Sequence, residues 1–138
     1  MLDFCNETEF ELNLELFEEI ASSKTPALIE FVLTNNENIQ ELNNNFRQKN
    51  EPTDVLSFPY EKMQFAPIGS VIVSLDFAQQ KAQELGHKTE DEIALLFIHG
   101  LLHILGFDHE SDNGEHRDEE AKLVELFSLP KSLIIRNS

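Results

Sequence analysis

Apolar residues occur along this chain in two patterns, short runs typical of strands and repeats at helical spacing. Runs rich in branched and aromatic residues predict four strands, at 2–5, 27–33, 55–58 and 68–73. The first and third are expected at sheet edges, the third because Pro59 closes it and a proline cannot donate a ladder hydrogen bond. The chain is therefore predicted to fold as one compact domain that contains both strands and helices.

Helical spacing of apolar residues predicts five helices between and after these runs. The first covers 12–21, and the second follows a cap at Asn35 or Asn36. Ser74 can cap a third helix, because a serine hydroxyl accepts a hydrogen bond from the first turn. Gly86 is expected to end that helix in left-handed backbone.

The fourth predicted helix is the most apolar part of the chain. Thr89 and Glu92 match a capping box at its start. From Ile93 to Leu105 the segment is apolar on nearly every face, so we expect it to lie buried at the centre of the fold. A fifth, amphipathic helix follows a polar loop after Gly106. Its apolar face is predicted to contain Ala121, Val124, Leu126 and Phe127, with Pro130 ending the helix.

The composition narrows the classes of function. The chain has 138 residues, 41% of them hydrophobic, and no linker or repeat divides it, so 1–138 is predicted to be a single domain. Its formal net charge of -16 argues against a nucleic-acid binder held by a basic face, and DNA is not an expected partner. Cys5 is the only cysteine, and no signal, transit or transmembrane segment is recognised. We therefore expect a cytoplasmic protein without a membrane partner.

Three histidines late in the chain have the spacing of a metal site. His99 and His103 are one helical turn apart, so their imidazoles face the same way. Gly106 can end the helix and turn the chain back, which brings in His109 as a third ligand. Three imidazoles can hold one tetrahedral metal ion and leave a fourth position for water, as in catalytic zinc sites. Either helical histidine alone would more often be a hydrogen-bonded core residue.

Other residues limit the interpretation of this motif as a metal site, namely the remaining histidines and the residue after His99. His87 and His116 lie in polar stretches and are predicted to be solvated, without a metal role. The spacing matches the metalloprotease signature H-E-x-x-H-x-x-G-x-x-H, but Gly100 stands where that signature has its glutamate general base. Peptide hydrolysis is therefore disfavoured.

A second unusual segment, 42–59, carries an arginine just before a predicted strand. Arg47 and Lys49 are two of only three cations in the first fifty residues. An isolated cation in an acidic chain usually pairs with a neighbouring carboxylate. Alternatively, Arg47 reaches a phosphate, for which the paired donors of a guanidinium are suited. The spacing does not decide between these two explanations.

These residues resemble the bacterial YbeY family, the zinc-dependent endoribonucleases of ribosomal RNA maturation. The segments that carry the resemblance are 43–59, 68–74 and 99–109. The histidine motif is specific because it includes Gly100 and the pair Asp108 and His109. Arg47 followed by Pro-Thr-Asp-Val-Leu-Ser-Phe-Pro is a second, independent block in the right order.

The resemblance implies a fold, a site and partners. The fold would be α+β, with a mixed sheet of about four strands and several helices packed on it. His99, His103 and His109 would bind one zinc ion per chain, and Arg47 would face the metal across a cleft. A ribosomal RNA precursor would be the substrate, and the ribosome or its small-subunit proteins and an assembly GTPase would be partners.

The implied function is single-strand-specific RNA cleavage in 16S rRNA 3′ end processing and in ribosome quality control. Asp54 and Asp108 are candidate general bases, but Asp108 is equally a turn residue or a carboxylate behind a metal ligand. Two other classes stay open, a non-catalytic zinc-stabilised ribosome-assembly module and a metal-dependent hydrolase of another substrate. Ser70 and Phe107 depart from the family's usual aspartate and tyrosine without touching the ligand set.

Overall fold

A mixed sheet organises the computed structural model, which describes residues 1–61, 63–108 and 111–130. Its strands are β1 (Leu2–Asn6), β2 (Ile29–Thr34), β3 (Val55–Pro59) and β4 (Gly69–Ser74), and its helices are α1 (Leu14–Lys24), α2 (Asn36–Arg47), α3 (Leu75–Leu85), α4 (Thr89–Ile104) and α5 (Glu115–Leu126). The strand order is β1-β2-β4-β3. β2 pairs in parallel with β1 and β4, and β3 runs antiparallel to β4. The predicted α+β fold is confirmed, with both expected strands at the edges.

The sheet has an apolar layer on each face. β4 lies between β2 and β3, and all six of its residues are buried. Because successive side chains of a strand point to opposite faces, Phe31 and Val71 enter the larger core. Leu56 and Ile72 point the other way and pack with Ile39 of α2. α2 thus covers one face, and the larger core with α1 and α4 covers the other.

Helix α4 lies at the centre of the larger core, as its sequence predicts. From Ile93 to Leu102, His99 is the one residue that is not buried. The helix packs on α3, α5, β3 and β4, so it has almost no solvent-facing side. Gly100 lies against the sheet, where an added Cβ would be 2.8 Å from Cγ1 of Val71. Within the described ranges, no helix combines the length and apolar character needed to cross a bilayer.

The ends of the helices follow the predicted chemistry at α3 but not at α4. The Ser74 hydroxyl accepts from the backbone N–H of the first turn of α3, and Gly86 ends that helix at φ +73°. The predicted capping box at Thr89 is wrong, since Lys88 is the N-cap residue and no side chain caps the helix by a hydrogen bond. Glu92 is instead turned inward, 1% exposed.

The predicted apolar face of α5 is also wrong in part. Leu126 is 65% exposed, whereas Leu123 is buried. His116 and Glu120 lie three to four residues apart along the same face as Leu123, and both are fully buried. Helix α5 therefore presents two polar side chains to α4, and both of them contact His99.

Candidate metal centre

The two helical histidines lie one turn apart near the end of α4. The His99 side chain is 19% exposed, whereas His103 is exposed to solvent. After the helix, Gly106 adopts φ +102° and its N–H donates to the His103 carbonyl at 3.1 Å. The predicted glycine turn is therefore confirmed. His109, the third predicted ligand, lies outside the described residues.

Both helical histidines, His99 and His103, have an oxygen atom beside Nδ1. His99 Nδ1 lies 3.0 Å from Oε2 of Glu120 on α5. His103 Nδ1 lies 3.0 Å from Oγ of Ser57 on β3. A histidine that donates from Nδ1 carries its lone pair on Nε2, which is the arrangement of most histidine metal ligands. The donor chemistry of this pair therefore fits a metal ion.

The structure brings a further histidine to the site. His116 was predicted to be solvated, but it is fully buried, because α5 packs this face against α4. Its ring stacks on that of His99, with 4.8 Å between centroids and 25° between planes. The possible ligand atoms of His99, His116 and Glu120 all lie within 4.8 Å of one another. This cluster could hold a metal ion.

His87 was likewise predicted to be solvated, and this prediction is wrong. Its side chain is 14% exposed, and its Nε2 lies 2.9 Å from Oε2 of Glu92. The pair explains why Glu92 points inward and does not cap α4.

Sequence reasoning missed Ser57, His116 and Glu120. For the residues of α5 a signal was present, since His116 and Glu120 lie seven and three residues before Leu123 and so share its helical face. For Ser57 the signal is weaker. It shares a face of β3 with Val55, which contacts α4 at Gly100, but its partner His103 is 46 residues away in sequence.

The two aspartates proposed as general bases have local roles in the structure. The Asp108 carboxylate accepts from the Ser111 hydroxyl at 3.0 Å, and its carbonyl accepts from the N–H of Ser111 and Asp112. Asp54 accepts from the backbone N–H of Val55 at 2.8 Å. These contacts match turn residues.

Arg47 is the last residue of α2 and is exposed. Among the described residues, neither Arg47 nor Lys49 has a carboxylate oxygen within 4.0 Å, so carboxylate pairing does not account for them. Gln48 follows in left-handed backbone, φ 59°, and the chain then leads into β3. The arginine thus begins the connection to the strand whose Ser57 contacts His103.

Proteins of known name match nearly the whole chain. A protein of Nautilia profundicola is 50% identical over 137 residues, which cover 99% of each chain. A protein of Aliarcobacter butzleri is 52% identical over 140 residues, which cover 100% of each chain. Both proteins are named endoribonuclease YbeY. A solution structure from Thermotoga maritima aligns with a TM-score of 0.63 at 27% identity, over 92% of this chain and 89% of that one. The sequence profile described as endoribonuclease YbeY matches residues 4–127. On this evidence the chain belongs to the endoribonuclease YbeY family.

Proposed function

We infer that residues 1–138 form a single metal-dependent endoribonuclease domain that cleaves single-stranded RNA. The observation that carries this proposal is the pair of α4 histidines, each with Nδ1 next to an oxygen of another element. Family membership supplies the substrate class, because the relatives are named as endoribonucleases. The proposed biological task is the maturation of ribosomal RNA, including the 3′ end of 16S rRNA, and ribosome quality control.

The proposed ligands are His99, His103 and His109, with one zinc ion per chain. Neutral imidazoles suit zinc among the common divalent metals. Such an ion, when bound, would supply Lewis-acid polarisation of a phosphate oxygen or acidify a water molecule. The chain's own contribution is orientation, since Glu120 and Ser57 hold the Nδ1 side of two of the three rings.

Arg47 is the proposed catalytic residue for the phosphate. Its guanidinium is exposed and has no carboxylate partner among the described residues, so it can donate paired hydrogen bonds to phosphate oxygens. Such donors stabilise the negative charge that builds up on a phosphodiester during cleavage. Lys49, two residues on, adds positive charge to the same segment.

The acidic composition supports a requirement for partners. A chain of net charge -16 repels an RNA backbone outside the local cationic region. We therefore propose that the ribosome or its small-subunit proteins, with an assembly GTPase, position the RNA, and that the isolated protein binds RNA weakly.

The proposal is tested with a labelled single-stranded RNA and purified protein, before and after removal of metal by a chelator. We expect cleavage to stop on chelation and to return when zinc is added. Arg47→Ala should lower kcat/KM by about 100-fold or more, the usual effect of removing a donor to developing charge. Analysis of the product ends will show whether water or the 2′-hydroxyl attacks, since the latter leaves a cyclic phosphate.

The matched control is Arg117→Ala, an exposed arginine on α5. We expect nearly normal cleavage from this variant. Equal losses in both arginine variants would point to general charge attraction and contradict the specific role of Arg47. Cleavage that survives both chelation and Arg47→Ala would overturn the proposed function.

A further inference from the structure

Glu120 is a carboxylate in the interior of the protein. Its side chain is fully buried, with Oε2 at 3.0 Å from His99 Nδ1 and 3.7 Å from His116 Nε2. Burying a charged carboxylate is costly unless it is hydrogen-bonded and paired. The Glu120 side chain can therefore remain buried only through contacts such as that with His99 of α4.

The His99 ring is restrained in two ways. The hydrogen bond to Glu120 resists rotation of the imidazole about its bond to Cβ. The stacked ring of His116, 4.8 Å away, resists tilting of the imidazole out of its plane. Helix α5 supplies both restraints, and they act on a side chain that is itself largely buried.

The other helical histidine is held less firmly. His103 is exposed, and its Nδ1 contacts a neutral hydroxyl, that of Ser57. Hydrogen bonds to an ionised carboxylate are roughly twice as strong as those between neutral groups. The geometry thus makes the two histidines unequal, with His99 fixed and His103 more easily moved.

We propose that Glu120 is the positioning residue of the metal centre. By accepting from Nδ1–H it selects the tautomer with the lone pair on Nε2, aims that lone pair, and makes the nitrogen a stronger ligand. The inference rests on the proposed function only in taking His99 as a metal ligand. Helix α5, which lies outside the histidine motif, would then have a role in binding the metal.

The test must distinguish this positioning role from the alternative, in which Glu120 itself binds the metal ion. Tetrahedral zinc with bonds of ~2.0–2.1 Å sets its nitrogen and oxygen donors roughly 3.3–3.4 Å apart. The separation of 3.0 Å between His99 Nδ1 and Glu120 Oε2 is a hydrogen-bond length and is shorter than this donor spacing. The distances favour orientation of His99 over shared ligation.

The test measures zinc affinity of the full chain by competition with a chromophoric chelator, with no RNA present. Glu120→Gln keeps the shape and removes the charge, and we expect affinity to fall by about 10- to 100-fold. Glu119→Gln is the matched control, because the Glu119 carboxylate pairs with Lys24 and Lys122 and with none of the histidines that the structure describes. Ser57→Ala should cost less than Glu120→Gln.

Cobalt substitution distinguishes positioning from ligation. The visible spectrum of bound Co²⁺ reports coordination number, and we expect the same spectrum in wild type and Glu120→Gln. A changed spectrum would identify Glu120 as a ligand and overturn the proposal, as would unchanged zinc affinity. If Glu120→Gln does not fold, Glu120→Asp, which keeps the charge but shortens the reach to Nδ1, carries the same test. A wild-type protein that binds no zinc would contradict the proposed function itself.

Discussion

Gly100 shows at the scale of one residue why this histidine motif is not that of a peptidase. The position faces the sheet, where an added Cβ would approach Val71 to 2.8 Å and Val55 to 3.4 Å. The glutamate that a metalloprotease needs there has no space against Val71. The glycine is therefore required by packing.

We predict that Gly100→Ala lowers the free energy of unfolding by about 1–3 kcal/mol, because the helix must move off the sheet to accept the methyl group. Urea unfolding followed by circular dichroism measures the change. Gln83→Ala, at an exposed position of α3, is the control and should change stability by less than about 0.5 kcal/mol. Wild-type stability in Gly100→Ala would show that α4 can shift without cost.

The sequence predicted the α4 histidines but not the residues that hold them. His99 and His103 are close in sequence, so helical periodicity alone places them on one face. Glu120 and Ser57 lie 21 and 46 residues from their partners, and only the packing of α5 and β3 on α4 brings them near. Helical spacing can place Glu120 on the buried face of α5, but local patterns do not identify the residue that it contacts.

At the scale of elements, prediction was right where the signal is local. The strand ending at Pro59 and the helix between Ser74 and Gly86 were both confirmed, because backbone conformation at those residues depends on their own side chains. The helix α4 begins at Thr89 as predicted, but the capping box there was wrong because the Glu92 carboxylate contacts His87 Nε2 instead. The contact between His87 and Glu92 therefore replaced the capping box that the local sequence predicts.

Helices α1 and α5 are joined by an ion pair between Lys24 and Glu119. The hydrogen bond from Lys24, with that from Lys122, lowers the pKa of the Glu119 carboxyl below its ordinary value of 4.5. Because the pKa is lower in the folded state, the pair stabilises the fold above about pH 4.5 and this stability is lost as the pH falls through the folded pKa.

We predict that Lys24→Met costs less than about 1 kcal/mol near neutral pH, since the pair is partly exposed and screened. The cost should shrink as the pH is lowered below about 4.5 and through the folded pKa of the Glu119 carboxyl. A double-mutant cycle with Glu119→Gln isolates the coupling energy of the ion pair. It is measured by urea unfolding near neutral pH and again below about pH 4.5. A coupling energy that does not change with pH would contradict this assignment.

At the scale of the whole molecule, the charge excess opposes folding. Twenty-six acidic residues against ten basic ones leave a net charge of -16, and compaction brings these charges together. The net charge follows from the composition alone, because it is a sum over residues and needs no structure. Which few carboxylates become buried, Glu92 and Glu120 among them, required the structure.

We predict that sodium chloride raises the melting temperature near neutral pH, because salt at about 0.5 M shortens the range of the repulsion to a few ångströms. Thermal unfolding monitored by circular dichroism provides the measurement. The same series near pH 5, close to the sequence pI of 4.5, should show a smaller rise, since fewer charges remain. Equal rises at both pH values would mean that salt acts other than by screening.

The order of elements along the chain has a consequence for protein synthesis. Glu120 and His116 come from α5, which the ribosome makes after β3 and α4. A nascent chain that has folded its sheet around α4 still lacks the carboxylate beside His99. If this carboxylate positions the metal ligand, the enzyme cannot mature until α5 has left the exit tunnel. Ribosomal RNA would then be protected from a nuclease that is still attached to the ribosome translating it.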